Sequence, residues 1–364
     1  MKTPRINVVR MEAAVAEGFV ASQLRKNLPG ASFEVVDRIA DGSPFDPHLL
    51  EVTAYRGRFL RQCPGTRHYL CCGYRILHIG VQCTLQCRYC ILQAYFNQPN
   101  LRVFGNTGEM LQLLEAELAS HPHDLHRFGT GEFTDSLLLD PLTRLSSRLV
   151  PLFAGRANAV LELKTKTDFV EPLLDLPHGG STIVAWSLNA PTIRRSEESR
   201  AASIAERLQA ARRCAEAGYR LAFHFDPLIE HPDWKRGYGE VLDRLFNAVD
   251  PADIVWISLG AFRFMPELKS IIQDRHPGTG IVYGEFIRGL DGKMRYFRDI
   301  RVELFRFMNE RIRAVDPGLC VYLCMEGEDI WRDVFGFSPE ERGGLPAMLD
   351  DAVRERMGIV AGKP

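Results

Sequence analysis

The sequence predicts an α/β fold in which helices cover a parallel sheet, arranged as an open doubly wound sheet or as a complete or partial barrel. Two observations lead to this prediction. Short apolar segments rich in β-branched and aromatic residues alternate with helical segments from about residue 74 onward, and the helices between them have recognisable ends. Six strands are predicted, at Tyr74–Val81, Leu125–Thr130, Ala159–Thr165, Thr182–Leu188, Arg220–Ile229 and Ile254–Leu259.

The helix ends follow from local chemistry. Asp140 and Pro141 offer an N-cap and a first-turn proline, and Gly218 follows the helical segment Ala201–Ala217 where a C-terminal glycine is expected. Parallel sheets of this kind carry their chemistry at the carboxyl ends of the strands. Candidate functional residues are therefore sought there.

Extensions flank the predicted core, which we place at residues 74–262. Residues 1–73 form an N-terminal extension, in which Ala13–Arg25 is predicted to be helical. Residues 263–364 form a C-terminal extension. Its predicted elements are a strand Ile281–Phe286, a helix Arg298–Ala314, a strand Leu319–Met325 and a helix Leu345–Met357.

Composition narrows the functional classes. A chain of 364 residues with 46% hydrophobic and 25% charged residues is typical of a globular protein, and no apolar run is long enough to span a membrane. The odd count of nine cysteines favours metal ligation or reduced thiols over disulfides, so we expect a cytoplasmic protein. The net charge of −1 provides no global attraction for a polyanion.

A cysteine cluster follows the first predicted strand. Cys83, Cys87 and Cys90, at spacings of four and three, can hold three corners of a [4Fe–4S] cluster and leave one iron without a protein ligand. The alternatives are a zinc knuckle and buried thiols that merely pack. Three further cysteines, Cys63, Cys71 and Cys72, could hold an auxiliary cluster but are more often small packing residues, and no role is predicted for them.

The segment Cys-Arg-Tyr-Cys-Ile-Leu-Gln-Ala-Tyr at residues 87–95 resembles the cluster loop of the radical S-adenosylmethionine (SAM) superfamily, in particular the spore photoproduct lyase-like group. The resemblance implies a partial (β/α)6 barrel. It also implies reductive cleavage of SAM to a 5′-deoxyadenosyl radical, with electrons from a donor such as flavodoxin or ferredoxin.

The resemblance also implies SAM-binding residues. Gly129, Gly131 and Glu132 are similar to the Gly-Gly-Glu motif that receives the SAM ammonium group. Tyr89 corresponds to the aromatic residue whose backbone contacts the adenine of SAM. Further cofactor-binding positions lie on or at the ends of later strands, at Lys166, Ser187, Asn189 and Asp226. The alternative is that these are turn residues and solvated charges.

One position departs from the family pattern. Spore photoproduct lyase carries, on its second strand, a cysteine that returns hydrogen to the product radical, and Glu132 occupies that place here. A carboxylate cannot donate a hydrogen atom as a thiol can. Cys324, on a late strand, is the candidate donor in this chain.

A basic loop follows residue 286. Arg288, Lys293, Arg295 and Tyr296 surround the turn Gly289–Gly292 and resemble the hairpin by which spore photoproduct lyase engages DNA. The alternative is a solvated charge run.

The leading hypothesis is a spore photoproduct lyase-like radical SAM enzyme acting on DNA or a nucleotide. Two alternatives stay open: a radical SAM enzyme on a peptide or small molecule, and a non-catalytic Fe–S or zinc protein that binds nucleic acid.

Overall fold

The computed structural model describes residues 1–65 and 68–359, with sixteen strands and twelve α-helices. The strands are β1 (Val8–Glu12), β2 (Ser32–Val36), β3 (Leu49–Thr53), β4 (Leu60–Gln62), β5 (Arg75–Leu77), β6 (Gly80–Val81), β7 (Leu101–Phe104), β8 (His126–Gly129), β9 (Ala159–Thr165), β10 (Thr182–Ser187), β11 (Arg220–Leu228), β12 (Ile254–Ala261), β13 (Arg263–Phe264), β14 (Phe286–Arg288), β15 (Met294–Tyr296) and β16 (Cys320–Leu323). The helices are α1 (Phe19–Asn27), α2 (Leu92–Tyr95), α3 (Thr107–Ser120), α4 (Asp140–Thr143), α5 (Ser146–Phe153), α6 (Pro191–Glu197), α7 (Ile204–Glu216), α8 (Trp234–Ala248), α9 (Pro266–Arg275), α10 (Arg298–Val315), α11 (Glu328–Phe335) and α12 (Leu345–Met357).

The main sheet has eight strands in the order β16-β12-β11-β10-β9-β8-β5-β4. Its neighbours are parallel except for β4, which runs antiparallel to β5. The sheet curls into a partial barrel, which confirms the predicted fold class. All residues of β10 and β12 are buried, because helices cover the outer face and side chains fill the inner one.

Two predicted elements are confirmed to the residue, and the helix predicted at Ala201–Ala217 is present as α7 over Ile204–Glu216. Strand β9 and helix α12 have the predicted bounds, and α7 ends before Gly218, whose φ of 89° suits glycine. Ser203 and Glu206 form a capping box at the start of α7.

Other elements differ. The predicted strand Tyr74–Val81 is divided into β5 and β6, because β6 leaves the main sheet and pairs with β7. The predicted strand at 281–286 is wrong: strand structure begins only at Phe286, after a turn in which the Tyr283 N–H donates to Gly280. Ala13–Arg25 is also not one helix, since a short 3₁₀ turn at Ala13–Val15 precedes α1.

A second sheet, in the order β2-β1-β3-β7-β6, joins the N-terminal extension to the core. Its strands β6 and β7 flank the cysteine-bearing loop, so that loop connects two strands that pair antiparallel. At the other end of the chain, β16 adds to the edge of the main sheet beside β12. The second sheet thus crosses the segment boundary predicted at residue 73, and the main sheet, which contains β4 and β16, crosses the boundaries predicted at 73 and 262.

In the described ranges, no helix combines the length and apolar character required to cross a membrane.

Candidate functional site

A cavity of about 630 Å³ opens at the carboxyl ends of β8, β9, β10 and β11. This is the end of a partial barrel at which function is expected. The cavity brings together the three motif cysteines and most of the predicted strand-end residues. Its lining includes Cys83, Cys87, Cys90, Tyr89, Gly131, Glu132, Lys164, Lys166, Ser187 and Asp226.

The cysteine loop between β6 and α2 is held by side chains on both sides. The Gln93 side-chain amide donates to the Arg88 carbonyl at 2.9 Å, and the Thr134 hydroxyl donates to the Gln82 carbonyl at 2.8 Å. Gln82 and Gln86 adopt positive φ values of 71° and 49°, which turn the chain sharply around the first two cysteines. The three thiols therefore line the same cavity.

Burial raises the pKa of all three thiols. The shift is large for Cys83, brings Cys87 to about 12, and is partly offset at Cys87 and Cys90 by the Lys166 ammonium group. Metal ligation requires thiolates, so iron binding here would release protons.

The donor set fits a [4Fe–4S] cluster. In a cubane each cysteine binds a different iron, so the thiols need not converge on a single point. Among residues 1–65 and 68–359, no three His, Cys, Asp or Glu side chains converge closely enough to hold one metal ion. Cys83, Cys87 and Cys90 would be the ligands of three irons, and these thiols would leave the fourth iron free to bind SAM.

The loop after β8 carries the Gly-Gly-Glu-like motif. A Cβ atom on Gly131 would lie 2.9 Å from Lys164 Cβ and 3.1 Å from the Lys164 carbonyl oxygen, so glycine allows this loop to pack against β9. Glu132 follows it and lines the cavity, partly exposed. Gly129 does not line the cavity. A side chain there would collide with the Tyr74 hydroxyl.

Lys166 belongs to a buried charge network. Its ammonium group donates to the Tyr89 hydroxyl at 2.8 Å and lies 3.6 Å from Glu198, to which Tyr89 also donates. Arg207, fully buried on α7, binds the other Glu198 oxygen at 2.6 Å. Burial opposes the Glu198 charge, but Arg207 and Lys166 outweigh it and lower the pKa of Glu198 to about 2. Tyr89 and Lys166 are thereby fixed at the cavity wall.

The network contains two residues that sequence reasoning missed. Glu198 follows α6, and Arg207 interrupts the apolar face of α7 between Ile204 and Leu208. A charged residue on an apolar helical face was the available signal, since such a residue needs a buried partner.

A polar floor lies below the cavity, on side chains that alternate along β9 and β11. Lys164 and Asp226 line the cavity, and Arg263 binds both Asp226 oxygens at 3.1 and 3.2 Å. Burial alone would raise the pKa of Asp226, but the Arg263 guanidinium outweighs burial and lowers this pKa. Cys324 accepts from Arg263 at 3.5 Å, and burial raises its pKa to about 12, so it remains a thiol at neutral pH.

Deeper in the barrel, His224 and Glu162 pair at 2.5 Å. Glu162, Lys164 and Lys166 share the inner side of the sheet, because side chains along β9 and just after it alternate with a period of two. Sequence reasoning missed Lys164, although the sequence shows this alternation.

Two residues predicted to bind SAM, at the end of β10 and just after it, differ in whether they reach the cavity. Ser187 lines the cavity, whereas Asn189 does not. The Asn189 amide donates to the Pro227 carbonyl at 3.0 Å and accepts from the Tyr238 hydroxyl at 2.8 Å. Its side chain thus links the end of β11 to α8.

The basic loop forms the predicted hairpin, β14–β15, but only part of its charge faces solvent. Arg288 is exposed. Arg295 is 1% exposed, binds Asp291 at 2.8 Å and donates to the Met325 carbonyl at 2.9 Å, and Tyr296 is equally buried. The prediction that Arg295 and Tyr296 face nucleic acid is therefore revised, because both side chains pack inside the protein. Lys293 is half-buried beside them.

Comparison with known proteins gives consistent matches. The family model "Spore photoproduct lyase" matches residues 72–302. The spore photoproduct lyase of Geobacillus sp. (strain Y412MC61) is 30% identical over 205 residues, which cover 55% of this chain and 60% of the relative. That of Bacillus subtilis (strain 168) is 28% identical over 207 residues, which cover 56% and 60%. The chain thus spans about 60% of the length of these curated relatives.

Solved structures share the fold. A spore photoproduct lyase complexed with dinucleoside spore photoproduct aligns with a TM-score of 0.79 at 23% identity, over 88% of this chain and 100% of that one. A mutant spore photoproduct lyase with bound AdoMet and dinucleoside spore photoproduct aligns over the same shares, with a TM-score of 0.77 at 23% identity.

Proposed function

Because the chain belongs to the spore photoproduct lyase family, we propose that it is a radical SAM enzyme that acts on DNA or a nucleotide. One observation carries the proposal: the three motif thiols line the same strand-end cavity as Glu132, Lys166 and Ser187. A non-catalytic Fe–S or zinc protein would not need a cavity of this volume beside its cysteines.

A [4Fe–4S] cluster held by Cys83, Cys87 and Cys90 would supply the electron for reductive cleavage of SAM to methionine and a 5′-deoxyadenosyl radical. The protein supplies position and charge. Glu132 accepts the SAM ammonium group in a charge-assisted hydrogen bond. Lys166 and Ser187 offer donors to the SAM carboxylate and ribose. The Glu198 carboxylate favours the charged form of Lys166, and Arg207 holds Glu198 in place.

Nucleic acid or a nucleotide is the proposed substrate class. A solved relative contains dinucleoside spore photoproduct, and two exposed arginines, Arg200 and Arg275, line the cavity of this chain. Guanidinium groups at a cavity mouth suit phosphate. Arg288 supplies a further exposed cation, and Ile287 and Leu290 of the same hairpin are 51% and 75% exposed.

The hydrogen returned to the product would come from Cys324 rather than from the second strand. Its thiol contacts Arg263, which binds the cavity residue Asp226. A thiol with a raised pKa retains the S–H bond that hydrogen donation requires. The proposed chemistry also requires a reductant, such as flavodoxin or ferredoxin, and a reducing compartment such as the cytoplasm.

The test uses anaerobically reconstituted protein. Reduced protein given SAM should form 5′-deoxyadenosine, and Cys→Ala substitution at Cys83, Cys87 or Cys90 should abolish this product. The same protein given dinucleoside spore photoproduct should form thymine products. Stoichiometric zinc in anaerobically purified protein, or SAM cleavage by the triple Cys→Ala variant, would refute the proposal.

A second candidate is a radical SAM enzyme with another substrate, and the glutamate at position 132 favours it. If SAM is cleaved and neither spore photoproduct nor irradiated DNA changes the yield or the products, this candidate replaces the first.

A further inference from the structure

The amino-terminal sheet supplies part of the wall of the strand-end cavity. The segment between β2 and β3 contributes Phe45, Asp46 and Pro47, and the first residues of β3 and β7 contribute Leu49 and Leu101. This part of the wall is largely apolar, whereas the strand ends of the barrel supply most of the charged side chains of the cavity. The cavity therefore offers an apolar surface beside its charged one.

Phe45 presents a free aromatic face on this apolar surface. The side chain lines the cavity and is nevertheless 56% exposed. Phe96 of the same cavity packs against Tyr95 and Phe133, with ring centroids 5.1 and 5.8 Å apart. Within residues 1–65 and 68–359, by contrast, no aromatic ring packs against Phe45 and no cation lies over it. A single exposed apolar side chain is common, so its backbone must also be considered.

One buried side chain clamps the backbone on both sides of Phe45. Asn100 is fully buried, and its amide oxygen accepts from the Asp46 N–H at 2.9 Å. Its amide nitrogen donates to the Pro44 carbonyl at 3.2 Å. The exposed ring of Phe45 is thus carried by a fixed backbone. A side chain placed in this way is pre-organised for contact with a ligand, because little freedom of the loop is lost on binding.

A buried carboxylate holds the clamp in place. Glu51 is fully buried and accepts from the amides of Asn100 and Gln98 at 3.2 and 3.0 Å, with Arg102 at 2.9 Å as its counter-charge. The Gln98 carbonyl accepts in turn from the side-chain amide of Gln82 at 2.6 Å. Gln82 immediately precedes the first cysteine of the cluster loop. A buried polar network of this kind is rigid, so the clamped segment and the cysteine loop hold a fixed relative position.

We propose that Phe45 stacks on a nucleobase of the substrate, an inference that rests on nucleic acid or a nucleotide being the proposed substrate. Every base has a π-face, and aromatic side chains that bind single strands use it. Cations suited to the phosphates lie in the same cavity, whose lining includes the exposed Arg200 and Arg275. Phe45 is therefore a substrate-binding residue that the amino-terminal sheet adds to the site.

The experiment measures the binding of a fluorescein-labelled thymidine hexanucleotide to cluster-loaded protein with SAM and without reductant, by fluorescence anisotropy. Phe45→Ala should weaken binding roughly 5- to 150-fold, the range expected for the loss of one base–aromatic stack. Phe45→Leu should weaken it similarly, because leucine is apolar but has no π-face, whereas Phe45→Trp should bind like the wild type. The matched control is Val35→Ala, which trims a 53% exposed side chain of β2 outside the cavity and should change nothing.

A second ligand separates base stacking from contact with the nucleic-acid backbone. A labelled hexanucleotide of abasic sites keeps the phosphates, so Phe45→Ala and the wild type should bind it equally. Phe45→Ala should also leave the slope of log affinity against log salt concentration unchanged for the thymidine ligand, because no phosphate contact is lost. The tryptophan fluorescence of the Phe45→Trp variant should be quenched by an unlabelled thymidine hexanucleotide and not by the abasic one.

Three outcomes would overturn the stacking role while the proposed function stands: unchanged affinity in Phe45→Ala, wild-type affinity in Phe45→Leu, or an equal loss for the thymidine and abasic ligands. If the wild type cleaves SAM and binds neither ligand, the proposed substrate class is wrong and the role of Phe45 falls with it. Failure of the inference and failure of the proposed function thus give different results.

Discussion

Replacing Glu198 with glutamine tests the buried charge network most directly. The change keeps the shape of the side chain but leaves Arg207 buried without a counter-charge, since Arg207 is 0% exposed and Glu198 is its carboxylate partner at 2.6 Å. Breaking a buried pair by removing one partner typically costs about 3–5 kcal/mol. We expect a loss of this size in the free energy of unfolding.

The lowered pKa of Glu198 gives a second, independent value for this loss of free energy. It is lowered from 4.5 to about 2, a difference of about 2.5 units, and at about 1.4 kcal/mol per unit this corresponds to roughly 3 kcal/mol. The folded-state pKa is lowered, so the contribution is fully present above about pH 4.5. It is lost as the pH falls from there toward 2, and the deficit of the variant should shrink over the same window.

Urea unfolding followed by circular dichroism, at pH 7 and at several values below pH 4.5, measures both effects. The control is Glu216→Gln, which removes an exposed pair with Arg212 whose side chains are 67% and 59% exposed. Such pairs contribute about 0–1 kcal/mol. If Glu198→Gln were as stable as this control at pH 7, the network would not have the energetic role assigned to it.

Three further predictions concern the site. Glu132→Gln should weaken SAM binding about ten- to hundred-fold with unchanged iron content, measured by equilibrium binding, because a charge-assisted hydrogen bond is lost; unchanged affinity would contradict the role of Glu132. Arg288→Ala should weaken DNA binding and reduce the slope of log affinity against log salt concentration by about 0.9, and an unchanged slope would exclude a phosphate contact. Arg295→Ala should instead lower the thermal midpoint of unfolding, because it leaves Asp291 buried without its partner. Cys324→Ser should retain 5′-deoxyadenosine formation and lose clean conversion of dinucleoside spore photoproduct, followed by chromatography; full conversion would exclude Cys324 as donor.

Local patterns were sufficient for much of the fold. The bounds of β9 and α12 follow from apolar periodicity and end signals that act within one segment. That Cys83, Cys87 and Cys90 would lie together was likewise predictable, because their spacing within one loop is itself the signal. Strand division was not predictable: Tyr74–Val81 reads as one apolar run, and only the pairing of Gly80 with Val103 in another sheet divides it.

The site residues that were missed depend on long-range contacts. Glu198 reaches Tyr89 and Lys166 only after the barrel has formed, and no local pattern encodes that contact. In the β14–β15 hairpin, by contrast, the sequence predicted exposed residues that the structure buries. Its arginines counted as surface charge in the sequence, but Arg295 is neutralised by Asp291, four residues earlier, and by Glu326 at 3.7 Å. Net charge along a segment does not say which cations face solvent.

The pairing of β6 with β7 determines how far this chain can be shortened. Strand β7 lies between β6 and β3, with Leu101 opposite Leu50, so the two strands that bracket the cysteine loop are anchored to a sheet built mainly by residues 1–53. Deleting those residues would leave β7 as an open apolar edge, prone to pair with another molecule. A barrel-only fragment would therefore be a poor scaffold for the three thiols, and engineering of this protein should retain its amino-terminal sheet.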